Sequence, residues 1–283
     1  MSEGEFRALR DLIRDEFGIF YDDGKQFLLQ SRLAVRLAKA GLESFEAYHA
    51  LLRNPLTRET EIRELASVLT NNETYFFRER AQLKALVGYV LDELLKGRPS
   101  RPLRIWSSAC SSGEEPYSLA ITLLESRRLR EGDFEIYASD ISDRVLALAQ
   151  RGVYQSLSFR ATEQSMIQRY FEQNGTERKL KDEIKRLVRF FRMNLIDAQA
   201  MAAVPEMDAI FCRNVLIYFD RSTQKRVVES FAHRLAPRGF LFLGHAESLF
   251  HVTDLYEPQL LSDTIVYRRR PKPSTNGLAG GLK

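Results

Sequence analysis

The chain has 283 residues, of which 44% are hydrophobic and 28% are charged, and its formal net charge is +4. These values are typical of a globular protein that is long enough for two domains. No run of the sequence approaches the roughly 18 apolar residues that a membrane span needs, which excludes such a span. The first residues also lack the basic and apolar segments of a signal peptide.

Residues 1–96 show helical periodicity and almost no strand signal. Apolar residues recur at three- and four-residue steps from Phe6 to Phe17, and Gly18 ends this first helix. Further helices are predicted over residues 24–40, 44–53, 58–70 and 79–96. The pattern indicates an all-α amino-terminal domain, which ends at a turn-rich break over residues 97–102.

Strands alternate with helices after Pro102, which predicts a parallel sheet with right-handed crossovers in a second domain of residues 97–270. The predicted strands cover residues 103–106, 134–138, 188–191, 209–212 and 240–244, the helices 116–128 and 144–150, and a closing hairpin 260–267. A charged stretch interrupts the alternation and predicts a small inserted subdomain over residues 152–187. Residues 271–283 are rich in Pro, Ser, Gly and Asn and predict a disordered tail.

A loop of small residues follows the first predicted strand and leads into a helix. It runs Trp-Ser-Ser-Ala-Cys-Ser-Ser-Gly-Glu-Glu-Pro-Tyr-Ser over residues 106–118. Ligands of open α/β sheets bind at such strand ends. Glu114 and Glu115 stand where a phosphate-binding loop presents bare N–H groups, so a ligand with hydroxyls or positive charge is favoured over a pyrophosphate. S-adenosylmethionine has both features.

Asp140 ends the second predicted strand of this domain. A carboxylate there is typical of nucleoside sites, where it binds ribose hydroxyls. The alternative is an N-cap of the next helix. NAD needs the same carboxylate and stays possible, although the G-x-G-x-x-G fingerprint is missing after the first strand.

Arg213 and Asn214 directly follow another buried strand, and Tyr218 comes four residues later. Polar side chains at a strand's carboxyl end face the ligand crevice. A buried aromatic with a satisfied hydroxyl is the alternative for Tyr218. His245, also at a strand end, is interpreted as an orienting or capping group more readily than as a catalytic one.

Three consecutive aromatic residues, at positions 75–77, lie between two helices of the first domain. Asn72, Thr74 and Arg78 surround them. The aromatics are consistent with packing between domains and with contact to a ligand, and the two interpretations do not exclude each other.

A set of basic residues marks the second predicted helix at spacings of seven, four and three: Lys25, Arg32, Arg36 and Lys39. A solvated face is the default interpretation. The alternative is a stripe that docks an acidic helix. The chain lacks the dense basic blocks with interleaved aromatics of nucleic-acid binders, so no nucleic-acid partner is expected.

Cys110 and Cys212 have neither a disulfide framework nor metal-ligand spacing. We therefore expect a cytoplasmic protein without a metal, and a monomer.

Taken together, five sequence blocks resemble the chemotaxis receptor glutamate methyltransferases, the CheR family. They stand in family order and extend over roughly residues 5–270, at positions 72–79, 111–118, 138–142, 208–220 and 244–248. The resemblance implies an α/β, Rossmann-like S-adenosylmethionine-dependent methyltransferase domain with a small inserted antiparallel β-subdomain, preceded by an all-α domain. It also implies methyl transfer to glutamate side chains of methyl-accepting chemotaxis receptors, with S-adenosylhomocysteine as the product.

The resemblance further implies the site residues. Those that bind the cofactor are Asn72, Thr74, Arg78, Glu115, Asp140, Asn194, Leu195, Arg213 and Asn214. Arg78 and Tyr218 lie beside the transferred methyl group. A glutamate carboxylate is already anionic at neutral pH, so no general base is required. The basic residues on the second helix become candidates for docking the receptor's helical bundle.

Two other functions stay open at this point: a methyltransferase for a small molecule or another protein, and a non-catalytic signalling module that keeps the cofactor site. Some family members grip a receptor's carboxyl-terminal peptide with the β-subdomain. Residues 170–194 are a few residues short here, with a compact Asn-Gly-Thr turn at 174–176. We therefore expect methylation without that tether.

Overall fold

A computed structural model describes residues 1–96 and 101–271 of the chain. The predicted break at 97–102 therefore lies partly outside the described residues, and the predicted tail lies outside them apart from Pro271. The predicted amino-terminal helices are confirmed as α1 (Glu3–Phe17), α2 (Gln26–Ala40), α3 (Phe45–Arg53) and α4 (Arg58–Leu69).

The first helix has clear start and stop signals. Ser2 accepts a hydrogen bond from the Glu5 N–H while the Glu5 side chain accepts one from the Ser2 N–H, which is a capping box. Gly18 adopts the left-handed conformation that commonly ends a helix. One face of α1 is buried and packs into a core shared with α2–α4 and with residues of the sheet.

The predicted single helix over residues 24–40 begins with a 3₁₀ turn, Asp23–Lys25, so Lys25 precedes the α-helical part. The helix predicted over residues 79–96 is continuous but changes type. It consists of α5 (Arg80–Ala85), a π-helical turn (Leu86–Val90) and α6 (Leu91–Leu95). A π turn frees a main-chain carbonyl, and here Arg128 donates to the carbonyl of Val87.

The second half of the chain forms a seven-stranded mixed sheet in the order β6-β2-β1-β7-β8-β10-β9. Its strands are β1 (Leu103–Ser107), β2 (Phe134–Asp140), β6 (Val188–Arg192), β7 (Met207–Cys212), β8 (Leu235–Leu243), β9 (Tyr256–Leu260) and β10 (Ile265–Arg269). The first five are parallel and the last two antiparallel. The predicted fold class is confirmed, with the closing hairpin joined to the parallel strands through β8.

Several element boundaries differ from the prediction. Helix α7 covers Glu114–Glu125 rather than residues 116–128, because Gly113 in the left-handed conformation lets the helix start at the two acids. Helix α8 (Asp143–Arg151) matches its predicted range to within one residue. Outside the insertion, two further helices were not predicted, α11 (Ala198–Ala203) and α12 (Arg221–Arg234). Helix α12 is polar over most of its surface, which weakens the periodic signal.

The insertion forms a three-stranded antiparallel sheet in the order β3-β5-β4. Its elements are β3 (Val153–Tyr154), α9 (Gln164–Tyr170), β4 (Phe171–Asn174), β5 (Glu177–Leu180) and α10 (Asp182–Lys185). Only Gly175 and Thr176 connect β4 to β5, so this hairpin is as tight as a regular hairpin can be. The absence of a peptide tether stays a prediction.

Phe76 anchors this insertion to the segment that precedes α5. Its ring is fully buried and lies 4.8 Å from Tyr154, 5.3 Å from Phe159 and 4.9 Å from Phe171, measured between ring centroids. Its N–H donates to the carbonyl of Ser158 at 2.9 Å. The insertion is therefore packed against the chain just before Arg78. Among the described residues, no helix combines the length and apolar character that a membrane span needs.

We predict that Phe76→Ala lowers the free energy of unfolding by about 3–5 kcal/mol, because it opens a cavity among three aromatic rings. Denaturant unfolding followed by fluorescence measures this change. Phe27→Ala is the matched control, since Phe27 is 79% exposed, and it should change stability by less than about 0.5 kcal/mol. A loss below about 1 kcal/mol for Phe76→Ala would contradict a packed cluster.

Candidate functional site

A cavity opens at the carboxyl ends of β1, β2 and β7, where α1 and α4 of the amino-terminal helices close it from the other side. Phe17, Ile19 and Leu69 supply this second wall. Every residue predicted to bind cofactor or act in catalysis lines the cavity: Asn72, Thr74, Arg78, Glu115, Asp140, Asn194, Leu195, Arg213, Asn214 and Tyr218. Four of the five sequence blocks, together with residues 194–195, are far apart in the chain and thus meet at one place. The individual roles stay predictions.

The loop after β1 follows the sheet edge closely. The Ser108 N–H donates to the carbonyl of Phe211, and the Cys110 N–H donates to that of Ser139, both at 2.8 Å. Gly113 has φ +96°, and a Cβ there would lie 2.8 Å from the Cβ of Ala149. Small residues are therefore required for the loop to stay against the strand ends.

The two acids at the start of α7 have different surroundings. Glu114 is buried and accepts hydrogen bonds from the hydroxyls of Ser112 at 2.7 Å and Ser158 at 2.9 Å. Glu115 lines the cavity and accepts from the Ser107 hydroxyl at 2.7 Å. Glu114 thus ties the loop to the insertion, while Glu115 faces the ligand space, as the sequence blocks predict.

Asp140 holds two loops together at the end of β2. Its Oδ2 accepts from the Ser111 N–H at 2.9 Å and its Oδ1 from the Ser142 N–H at 3.0 Å. Burial raises the pKa of Asp140, and these two N–H groups act in the opposite direction. Each carboxylate oxygen keeps acceptor capacity for a ligand hydroxyl. The alternative of an N-cap is wrong, because Ser142 occupies that position of α8.

Arg213 is the buried cation of the site. Its Nη1 lies 3.0 Å from Glu115 Oε2, and its Nη2 donates to the main-chain carbonyl of Arg78 at 2.8 Å. Glu79 Oε2 lies 3.5 Å from Nη2 as a second counter-charge. Burial raises the pKa of Glu115, and the Arg213 guanidinium opposes that shift. Nothing in the sequence singles out Glu79, because an acidic residue beside the start of a helix is ordinary.

Arg78 and Tyr218 are both half-buried and line the cavity. Arg78 donates to the carbonyl of Glu73 at 3.0 Å, and its guanidinium lies 5.7 Å from the Tyr75 ring centroid. Across residues 1–96 and 101–271, no carboxylate lies within 4.0 Å of the Arg78 guanidinium. Arg78 is therefore a cation with free donors beside the ligand space.

Asn194 and Leu195 follow β6 and form another part of the lining. The Asn194 side-chain amide donates to the carbonyl of Glu16 at 2.7 Å, and its oxygen accepts from the Ile196 N–H at 3.3 Å. Asn194 thus fixes the end of α1 against the sheet. Leu195 is buried and supplies an apolar surface.

The other candidates lie off the cavity. Phe76 and Phe77 are buried in the core, and Tyr75 stacks under the Arg160 guanidinium at 3.8 Å, so the three aromatics pack rather than line the ligand space. His245 is largely exposed, with its Nδ1 3.2 Å from Glu79 Oε1. It contacts the carboxylate behind Arg213 and does not line the cavity.

The predicted docking stripe requires a correction. Arg36 is buried, its Nε and Nη2 contact both oxygens of Glu61 at 2.9 and 2.8 Å, and its Nη1 contacts Glu64 at 3.0 Å. A guanidinium needs this compensation once it is buried, so Arg36 is a structural cation and its assignment to docking is wrong. Arg32 is half-buried and donates to the Tyr21 hydroxyl and the Leu69 carbonyl. Lys25 and Lys39 are exposed.

The chemistry of the cavity fits S-adenosylmethionine. Apolar side chains such as Ile141 and Leu195 suit an adenine ring, Asp140 suits ribose hydroxyls, and Glu115 places negative charge where a sulfonium and an ammonium would be stabilised. Among the described residues, no group of three or more His, Cys, Asp or Glu side chains could hold a metal ion.

We predict that Asp140→Asn weakens binding of S-adenosylhomocysteine about 10- to 100-fold, because an amide keeps one acceptor but loses the charge-assisted hydrogen bonds. Isothermal titration calorimetry measures the affinity. Asp143→Asn is the control: this half-exposed acid lies three residues further on and outside the cavity, and its variant should bind normally. Equal affinities for the two variants would contradict the ribose assignment.

Two protein-family models match most of this chain. The model of the CheR methyltransferase all-alpha domain matches residues 4–70, and that of the CheR methyltransferase SAM binding domain matches residues 72–264. "Chemotaxis protein methyltransferase 2" of Vibrio cholerae is 37% identical over 99% of this chain and 98% of its own length. "Chemotaxis protein methyltransferase 1" of Pseudomonas aeruginosa is 34% identical over 95% of this chain and 99% of its own length.

Among solved structures, the N-methyltransferase NodS from Bradyrhizobium japonicum, in complex with S-adenosyl-L-homocysteine, is 16% identical with a TM-score of 0.41, covering 80% of this chain and 98% of that one. A likeness of this size carries no weight for the function. The two family models and the near-full-length relatives do. The chain belongs to the CheR methyltransferase family and is an S-adenosylmethionine-dependent methyltransferase.

Proposed function

We propose that this protein transfers the methyl group of S-adenosylmethionine to glutamate side chains of methyl-accepting chemotaxis receptors, giving glutamate methyl esters and S-adenosylhomocysteine. The printed name shared by its relatives, chemotaxis protein methyltransferase, supports the biological setting. The charges around the cavity support a carboxylate as the methyl acceptor.

The single observation that carries the proposal is the state of Arg78. It lies at the ligand space without a carboxylate partner among the described residues, whereas Arg213 and Arg36 each form an ion pair with a carboxylate. A planar guanidinium suits a carboxylate in a two-point contact. Arg78 is therefore the group that would hold an incoming carboxylate.

The proposed reaction requires no general base in the site. When bound, S-adenosylmethionine supplies an electrophilic methyl group on a sulfonium. A glutamate carboxylate is ionised at neutral pH and attacks without a general base. In agreement, no histidine among the described residues lines the cavity, and Glu115 is ion-paired with Arg213 instead of standing free as a base.

The contribution of the protein is then to place the reacting groups. Tyr218 forms part of the wall next to Asn214, with its main chain fixed by the Phe20 N–H at 2.8 Å. An aromatic face beside a sulfonium supplies a cation–π contact. Holding the acceptor oxygen in line and at close approach accounts for much of the rate that such a reaction needs.

We predict that Arg78→Ala lowers turnover about 100-fold or more, because the acceptor carboxylate loses its positioning group. The turnover of Arg78→Lys should lie between that of Arg78→Ala and the wild type, since lysine keeps the charge but cannot make the two-point contact of a guanidinium. The measurement is transfer of labelled methyl to receptor-containing membranes, followed by release of the label in base, as a methyl ester requires.

Arg80→Ala is the control for these variants, since Arg80 is exposed, pairs with Glu163 and lies outside the cavity. Near-normal turnover of Arg78→Ala would contradict the positioning role. Label that resists base would point to methylation of nitrogen, and absence of label from receptors would reject the proposed acceptor.

The proposed docking surface for the receptor bundle consists of Lys25 and Lys39 with the exposed part of Arg32. Around them α2 presents an exposed face with Phe27, 79% exposed, and Val35, 48% exposed. A cationic rim beside apolar side chains is suited to a helix that carries glutamates. Arg36 supports the surface from inside, through its ion pairs with α4.

We predict that the double charge reversal Lys25→Glu with Lys39→Glu raises the KM for receptor membranes about 3- to 10-fold at low salt and weakens the salt dependence, because complementary charge is lost. Affinity for S-adenosylhomocysteine should not change. The double reversal of Lys84 and Lys96, two exposed lysines on the segment of α5 and α6, is the charge-matched control. Equal effects of both double variants would argue against a specific surface.

A further inference from the structure

Glu247 lies in the loop after β8 and gathers an unusual number of main-chain donors. Its two carboxylate oxygens accept hydrogen bonds from five backbone N–H groups, those of Asn214 at 2.8 Å, Val215 at 2.9 Å, Leu216 at 2.8 Å, Ile217 at 3.3 Å and Gly244 at 2.7 Å. Four of these donors are consecutive residues of the loop that follows β7. One remote side chain therefore ties together the main chain of that loop.

The negative charge of Glu247 is stabilised by peptide dipoles and not by a cation. In the part of the chain that the structure describes, no Lys, Arg or His nitrogen lies within 4.0 Å of its oxygens. Consecutive N–H groups that converge on one point form an anion-binding concavity, here filled by the protein's own carboxylate. Burial raises the pKa of Glu247, and the N–H groups of Asn214 and Gly244 oppose the shift.

The loop held in this way carries part of the cofactor cavity. Asn214, Val215 and Tyr218 all line it, and the Tyr218 N–H donates to the carbonyl of Val215 at 3.1 Å. Asn214 has φ +59°, a left-handed conformation that costs energy for a residue with a side chain. The hydrogen bond from its N–H to Glu247 stabilises that conformation.

Gly244 completes the arrangement. A Cβ at this position would lie 2.7 Å from Asn214 Nδ2 and 2.8 Å from Glu247 Oε2. Such distances are closer than real Cβ contacts, so a side chain would push either the carboxylate or the asparagine away. Only glycine allows the two strand-end loops to approach this closely.

We propose that Glu247 is a positioning residue of the methyl-transfer site: it sets the conformation of the loop at residues 214–218 and thereby places Asn214 and Tyr218 at the cofactor and the methyl acceptor. The inference rests on the roles proposed above for those two residues. Glu247 does not line the cavity and acts only through the loop.

The test compares Glu247→Gln with Asp208→Asn. The glutamine variant keeps shape and one acceptor oxygen but turns an N–H₂ group toward backbone donors. Asp208 is matched, since it is a buried carboxylate that accepts from the Arg104 N–H at 2.8 Å and from Arg101 at 2.7 Å, at the opposite end of β7.

Both variants should lower the melting temperature. Only Glu247→Gln should weaken S-adenosylhomocysteine binding, by about tenfold, and reduce kcat for labelled methyl transfer by at least about tenfold. Asp208→Asn should keep both values within about twofold of the wild type. If Glu247→Gln is destabilised but binds and turns over like Asp208→Asn, the positioning role is overturned.

If Glu247→Gln does not fold, Gly244→Ala serves as the second variant, because it displaces the same contact while the carboxylate stays charged. Wild-type binding and turnover in Gly244→Ala would overturn the proposal. The binding measurement needs no receptor, so a wild-type protein that binds S-adenosylhomocysteine yet labels no receptor would contradict the proposed acceptor and leave the role of Glu247 standing.

Discussion

The Arg213 guanidinium joins three segments that lie far apart in the sequence: the end of β7, the first turn of α7 and the chain just before α5. Through Glu115 it fixes the acid that faces the ligand space, and through the Arg78 carbonyl it fixes the main chain of the free cation. Burying a guanidinium without counter-charges would cost free energy, and the carboxylates of Glu115 and Glu79 reduce that cost. This one buried charge thus sets the positions of Glu115 and of the Arg78 main chain at the cavity.

The arginines differ in their pairing, which explains how the site can be stable and still bind an anion. Arg213 and Arg36 are buried with their counter-charges and serve the fold. Arg78 is left with free donors at the ligand space. A cation held in place by its neighbours' main chain, but not neutralised by them, attracts an anion at little cost in reorganisation.

Much of this fold could be predicted from the sequence, because strand, loop and helix alternate clearly after Pro102. Helix α11 was missed because it has only six residues, and α12 because polar residues outnumber its apolar ones. Helix α7 starts early because Gly113 adopts a left-handed conformation, which periodicity does not reveal. Asp140, Arg213 and Asn214 were found because they stand at or just after the end of a strand, whereas Asn194 and Leu195 came only from the family resemblance. Arg36 was misassigned because its spacing matches that of exposed residues, and only the position of Glu61 on another helix shows that it is buried.

Glu79 and Glu247 could not be predicted for a related reason: their function depends on what faces them across the fold. Glu247 stands in a short motif after β8, but its five donors come from two different loops. The spacing of apolar and polar residues in the sequence does not reveal such a role. Resemblance to a family can draw attention to the motif without giving the physical reason for it.

The insertion limits how far this enzyme could be shortened. Ser158 binds Glu114 through its hydroxyl and the Phe76 N–H through its carbonyl, so the insertion touches both the cofactor loop and the segment that carries Arg78. Removing residues 152–187 would therefore not leave a simpler, self-sufficient catalyst. The Phe76 ring would lose its aromatic neighbours, and the segment that carries Arg78 would lose its support. The insertion is therefore part of the minimal catalytic unit.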